Sequence, residues 1–156
     1  MMRLLLIVLK LESILGGEQM VKREVVLSRI YKVQEYLTYL QQVKNYTKEQ
    51  YVNDPMIYGS TERFLHLSIE CVIDIGNHVI ADMRYRKPES NKDIFLVLLE
   101  NNIIDEKLKD SLSNMAGFRN ILVHDYMRLD RAIVYNILLN NLEDIEQFIE
   151  VVVEYI

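Results

Sequence analysis

The chain has 156 residues; half are hydrophobic, 26 % are charged, and there are only five glycines and two prolines. That is enough apolar matter for one domain with a core, which excludes a disordered chain, and too few turn formers for a sandwich or barrel. A net charge of −5 excludes a strong non-specific nucleic-acid binder but leaves room for a small basic site, and a single cysteine, Cys71, excludes an internal disulfide and fits a reducing cytoplasm.

In residues 1–19, Arg3 precedes the apolar run Leu4 to Leu9, which Lys10 and Glu12 interrupt. The run is too short for a signal-peptide core or a membrane span, and no membrane partner is expected. Gly16-Gly17 separates it from Met20, a natural start for a helical domain. Residues 1–19 are therefore read as a leader or an annotation extension, and 20–156 as one helical domain. From about Val21 to Val43, Val26, Ile30, Val33, Leu37 and Leu40 recur at spacings of four and three, which predicts a long amphipathic helix. Asn45 to Asn53 reads as a polar connection with room for one helical turn.

Asp54-Pro55 is a helix start, with Asp at the cap and Pro in the first position. The helix it opens should run to about Tyr85, be loosened near Gly59-Ser60, and be central, because it is apolar around much of its circumference. Phe64, Leu67, Cys71 and Ile75 lie on one side; Leu65, Ile69, Val72, Ile80 and Met83 adjoin them. Glu70, Asp74 and Asn77 or His78 make a polar stripe. Arg84 to Ser90 is a charged loop, Lys92 to Asn101 a shorter helix, and Asp105 opens another carrying Leu108, Leu112, Met115 and Phe118. Asp130 caps a last helix with the apolar stripe Ile133, Ile137, Leu138, Leu142, Ile145, Phe148, Ile149, Val152 and Val153. The fold expected is all-α: an up-and-down bundle of four main helices plus one short helix.

The chemistry concentrates in Gly117-Phe118-Arg119-Asn120-Ile121-Leu122-Val123-His124-Asp125-Tyr126. On a helix Asn120 and His124 stack at i and i+4, Arg119 and Tyr126 at i and i+7, and Ile121, Leu122 and Val123 are left mainly to pack. Arginine offers a fork of donors that fits a phosphate; histidine takes and gives protons near neutral pH. Together they suffice to cleave RNA without metal, because the ribose 2′-OH is its own nucleophile. The plain alternative is a surface arginine and a histidine bonded to a carbonyl. Glu70, Asp74 and His78 are too few for a metal site, with no Cys set and no His-Glu-x-x-His, so no metal and no cofactor is expected. The acidic stripe is read as a partner for an arginine, Arg119 of the same or of a second subunit.

The string Arg119-Asn120-x3-His124-Asp125-Tyr126 resembles the Arg-x4-His-x-Tyr signature of HEPN-domain proteins, and more narrowly of HepT-like toxins paired with minimal nucleotidyltransferase antitoxins. Asn53-Asp54-Pro55 and the block Ser68 to Ile80 stand in the same family's order and approximate spacing, so the likeness spans roughly residues 20 to 155. The resemblance implies a homodimeric, cytoplasmic, metal-independent endoribonuclease acting on RNA. His124 would be the general base or acid, Arg119 the phosphate clamp and Asn120 an orienting group, with Glu70 and Asp74 in support. It further implies that Tyr126 is the site where the antitoxin transfers AMP. Gly59-Ser60 lacks the Asp-x-Asp that follows this pair in nucleotidyltransferases, so the chain is not that enzyme but its partner and substrate. The second reading is a non-catalytic HEPN-type binding partner or nucleotide-holding module; the third, a helical scaffold with no site.

Overall fold

The computed structural model describes residues 20–156, leaving aside the side chains of residues 20–22 and Tyr126; residues 1–19 lie outside it. Seven α-helices follow one another among the described residues. They are α1 (Met20–Gln41), α2 (Lys48–Asn53), α3 (Pro55–Asp82), α4 (Asn91–Glu100), α5 (Glu106–His124), α6 (Arg131–Asn140) and α7 (Leu142–Val153), with single 3-10 turns at Gln42–Asn45 and Tyr126–Arg128.

The stripe expected on the first helix is its core face: Val26, Ile30, Val33, Leu37 and Leu40 are each at most 1 % exposed. This face lies against α3. Asp54 starts α3 as its sequence predicts, its Oδ1 accepting from the backbone N–H of Met56 at 2.9 Å and of Ile57 at 3.3 Å, with Pro55 in the first turn where its missing N–H costs nothing. Gly59-Ser60 does not interrupt the helix. The Ser60 hydroxyl donates to the Met56 carbonyl at 2.7 Å and stays within the helical ladder.

Helix α3 touches α1, α2, α4, α5 and α7, so it is the central element. By length and composition alone it could cross a membrane, yet 56 % of its most apolar stretch is buried inside the bundle. Its innermost side differs from the first expectation. Leu65, Ile69, Val72 and Ile75 are buried, whereas Phe64, Leu67 and Cys71 are half-buried and Met83 is exposed. Gly76 lets α4 approach, for a Cβ there would stand 2.6 Å from Ile94 Cγ2.

The connection expected at Asn45 to Asn53 contains α2, whose start is a reciprocal capping box between Thr47 and Gln50. The single last helix expected after Asp130 is two. Asn141 ends α6 with its N–H still bonded to the Ile137 carbonyl at 2.9 Å, and its side-chain amide turns to Asp144 Oδ2 at 3.3 Å. An Asn-Asn pair favours such a break, because its amides compete with the backbone for hydrogen bonds. On α6, Ile133 is 52 % exposed; on α7, Leu142, Ile145, Phe148, Ile149, Val152 and Val153 are all buried.

Candidate functional site

Helix α5 is seated by Leu108, Leu112, Met115 and Ala116, all buried, and capped by Asp105, whose Oδ1 accepts from the Leu108 N–H at 2.8 Å. Phe118 and Leu122 continue the inner face against the core. The face opposite carries Asn120, Ile121 and His124, all exposed, so of the Ile-Leu-Val spacer only Leu122 and Val123 are sheltered. Arg119 lies on the flank towards α3. Its side chain is 25 % exposed, and its Nε donates to Glu70 Oε1 in a short ion pair. Its Nη1 donates to Asn120 Oδ1 at 3.3 Å. The guanidinium is thus oriented from two sides before any ligand arrives.

His124 is the last residue of α5. Asp125 ends the helix at φ −132°, its N–H still bonded to the Ile121 carbonyl at 3.1 Å. The chain makes one 3-10 turn over Tyr126–Arg128, drops Leu129 into the core and restarts at Asp130, which caps α6 through Ala132 N–H at 2.8 Å. Among the described residues nothing pairs with the His124 ring, and Arg128 Nε stands 3.8 Å from Asp125 Oδ1. The backbone of Tyr126 opens the turn; its side chain lies outside the described residues. Five positions on a helix separate Arg119 and His124 by about 140° of rotation. Arg119 and Asn120 are in contact, and among the described residues no hydrogen bond joins either of them to His124 at the helix end.

The acidic stripe divides between two helices. Glu70 turns to Arg119 of α5, while Asp74 pairs with Arg29 of α1 at 3.2 Å. Among the described residues no three His, Cys, Asp or Glu side chains converge as metal ligands.

Two contacts near the motif were missed in the sequence. His66 Nε2 stands 3.4 Å from Glu70 Oε1, and its Nδ1 is bonded to Arg63 at 3.1 Å. Arg131 Nε stands 3.3 Å from Glu62 Oε1, with its guanidinium 3.8 Å over the Tyr58 ring. Burial pushes the Glu62 carboxyl above the usual carboxylate range, and Arg131 only partly opposes this. The signal was the spacing Glu62, His66, Glu70: an i, i+4, i+8 run that puts all three along one flank of α3.

This arrangement offers a fixed cation and an exposed imidazole at a helix end, which suits holding a phosphodiester and moving a proton. The family model described as "Ribonuclease HepT-like" matches residues 33–152. The mRNA nuclease HepT of Shewanella oneidensis is 35 % identical over 129 residues, 83 % of this chain and 96 % of that protein. The tRNA nuclease HepT of Aphanizomenon flos-aquae is 27 % identical over 106 residues, 68 % of this chain and 72 % of that one. Among solved structures, a tri-AMPylated S. oneidensis HEPN toxin in complex with MNT antitoxin superposes with a TM-score of 0.76 at 35 % identity, covering 81 % of this chain and 95 % of that one. Bacillus subtilis YutE, described as a cytosolic protein of unknown function, shares the fold at a TM-score of 0.76 and 22 % identity, over 85 % and 89 % of the two chains. The chain belongs to the ribonuclease HepT-like family of HEPN-domain proteins.

Proposed function

We propose that this chain is a metal-independent endoribonuclease toxin, neutralised by a nucleotidyltransferase antitoxin. The observation that carries the reading is the pairing of Arg119 with Glu70 on the same helix end that exposes His124. His124 takes the proton of a ribose 2′-OH. That oxygen attacks the adjacent phosphorus, the bond to the 5′-oxygen breaks, and the leaving oxygen is protonated by the acid form of the catalyst. Arg119 carries the charge that gathers on the phosphoryl oxygens, and Asn120 steadies it. The products are a 5′-hydroxyl end and a 2′,3′-cyclic phosphate.

Since Arg119 and His124 diverge around the helix, two copies facing across a cleft complete the site better than one. Ile121, Met127 and Ile133, which are 41 %, 87 % and 52 % exposed around the motif, supply apolar surface for such a homodimer. Tyr126 is the AMP acceptor, a reading supported by the AMPylated relative. A phosphate-bearing adduct in the turn after His124 would bar RNA by charge and bulk. The protein works in the cytoplasm, which its lone thiol fits.

A second reading, a non-catalytic partner module, draws on the charge of −5 and on Glu70 already neutralising part of Arg119. The ends of the products decide between them. Wild-type protein should leave cyclic phosphate on a labelled RNA and His124→Ala should leave the RNA whole; intact RNA with unmodified wild-type protein would favour the module.

A further inference from the structure

The proposed chemistry uses Arg119 and Glu70 but gives no part to the side chain that shares their oxygen. His66 stands one turn before Glu70 on α3, and its side chain is only 17 % exposed. Its Nδ1 lies 3.1 Å from Arg63 Nη1. A guanidinium has donors and no acceptor, so Nδ1 must accept. In the tautomer that fits this contact the ring carries its N–H on Nε2. That N–H side faces Glu70 Oε1 at 3.4 Å, and the same oxygen receives the Nε–H of Arg119.

We propose that His66 is a positioning residue for Arg119, acting through Glu70; the inference rests on the ribonuclease reading and deepens it. A glutamate and an arginine both have long, rotatable side chains, and an isolated pair must give up that freedom to hold one geometry. A third group that fixes the carboxylate removes part of that cost in advance. A neutral donor suits the task better than a cation. An imidazolium would compete with Arg119 for Glu70 and repel its guanidinium, whereas a neutral N–H steers the carboxylate and leaves its charge to Arg119. Arg63 keeps the ring in that tautomer. The relay thus runs Arg63, His66, Glu70, Arg119, Asn120 across the α3–α5 contact, with every link an approach of 3.4 Å or less. The charged groups on the ring are Arg63 and Glu70 of its own helix, with Arg119 of α5 beyond the shared oxygen.

The test compares wild type, His66→Ala, His66→Gln and Arg119→Ala in single-turnover cleavage of a labelled RNA. It also follows the Arg119 Nε–H signal in nitrogen-edited NMR, identified by its loss in Arg119→Ala. His66→Ala should slow the chemical step roughly two- to fivefold, the effect of one weak electrostatic contact, with the half-saturating RNA concentration nearly unchanged. It should also shift and broaden the Nε–H signal. His66→Gln, which keeps a side-chain N–H, should recover most of the rate and return the signal. His66→Ala with wild-type cleavage and an unmoved signal overturns the inference and leaves the ribonuclease reading intact, as does a glutamine variant no better than alanine. Wild-type protein that cleaves nothing removes the reading instead, and the Nε–H signal alone then decides the role of His66. Should His66→Ala fail to fold, Arg63→Ala takes its place: an unmoved signal there overturns the inference.

Discussion

Glu70 on α3 holds Arg119 on α5, so the aim of the motif's guanidinium is set by a helix 49 positions earlier in the chain. Glu70→Ala should therefore lower RNA cleavage by roughly tenfold, the effect of losing one orienting hydrogen bond to a charged group, without abolishing it. The pair is partly exposed, and its loss should cost only about 0.5–1 kcal/mol of stability. Cleavage rates and urea unfolding of the same preparation check both halves.

Glu62 and Arg131 form the second tie between α3 and the motif, at the start of α6. Arg131 lies over the Tyr58 ring with its Nε 3.3 Å from Oε1 of Glu62, whose side chain is 16 % exposed, so removing either partner strands a sheltered charge. A double-mutant cycle of Glu62→Gln and Arg131→Met should give a coupling of about 1–3 kcal/mol, and the two single effects should not add. An additive result would mean that the pair is solvent-screened.

Much of this bundle is legible in its sequence, and the reasons are local. The five apolar positions of α1 have a single helical period, and Asp54-Pro55 carries its cap and its first-turn proline side by side. The motif declares itself because its residues share one helix end. The Arg131 contact does not, since it depends on which flank of α3 meets α6, whereas those of His66 follow the i−3 and i+4 spacing within α3 itself. Helix α3 is apolar over so much of its girth that periodicity could not decide between the flank of Phe64, Leu67 and Cys71, which is half-buried, and that of Leu65, Ile69 and Val72, which is core. The break at Asn141 was hidden because the apolar stripe runs on through it in register.

Two glycines should respond to alanine with opposite signs. At Gly76 the new methyl would meet Ile94 Cγ2 at 2.6 Å, with Leu98 and Phe148 behind it, in a core with no room to yield. Gly76→Ala should destabilise by about 1–3 kcal/mol. At Gly117 the obstacle is the flexible end of Lys92, its Cε at 2.8 Å. Lys92 can swing aside, and Gly117→Ala should stabilise α5 by about 0.5–1 kcal/mol through the helix's preference for alanine. Denaturant midpoints of the two variants settle the signs.

The loop before α4 is pinned by Arg86, which bonds both oxygens of Asp93 at 2.7 and 2.8 Å and reaches Glu100 at 2.7 Å. Arg86, with help from the Glu89 N–H, holds the Asp93 carboxyl down to about 2. A carboxyl with a folded value below its unfolded one, about 3.9, stabilises at neutral pH and loses that effect as pH falls through the folded value. Asp93→Asn should thus unfold at lower temperature than wild type at pH 7, and the gap should close between about pH 4 and pH 2. A gap that stays constant across that range would contradict the assignment.

The central claim is that Arg119 and His124 cleave RNA without metal. Purified wild type, its mass checked for absence of added AMP, should be incubated with a labelled structured RNA in EDTA beside the Arg119→Ala/His124→Ala double variant. Cleavage by wild type alone is the predicted result. Equal cleavage by both proteins, or cleavage that disappears with EDTA, would contradict it.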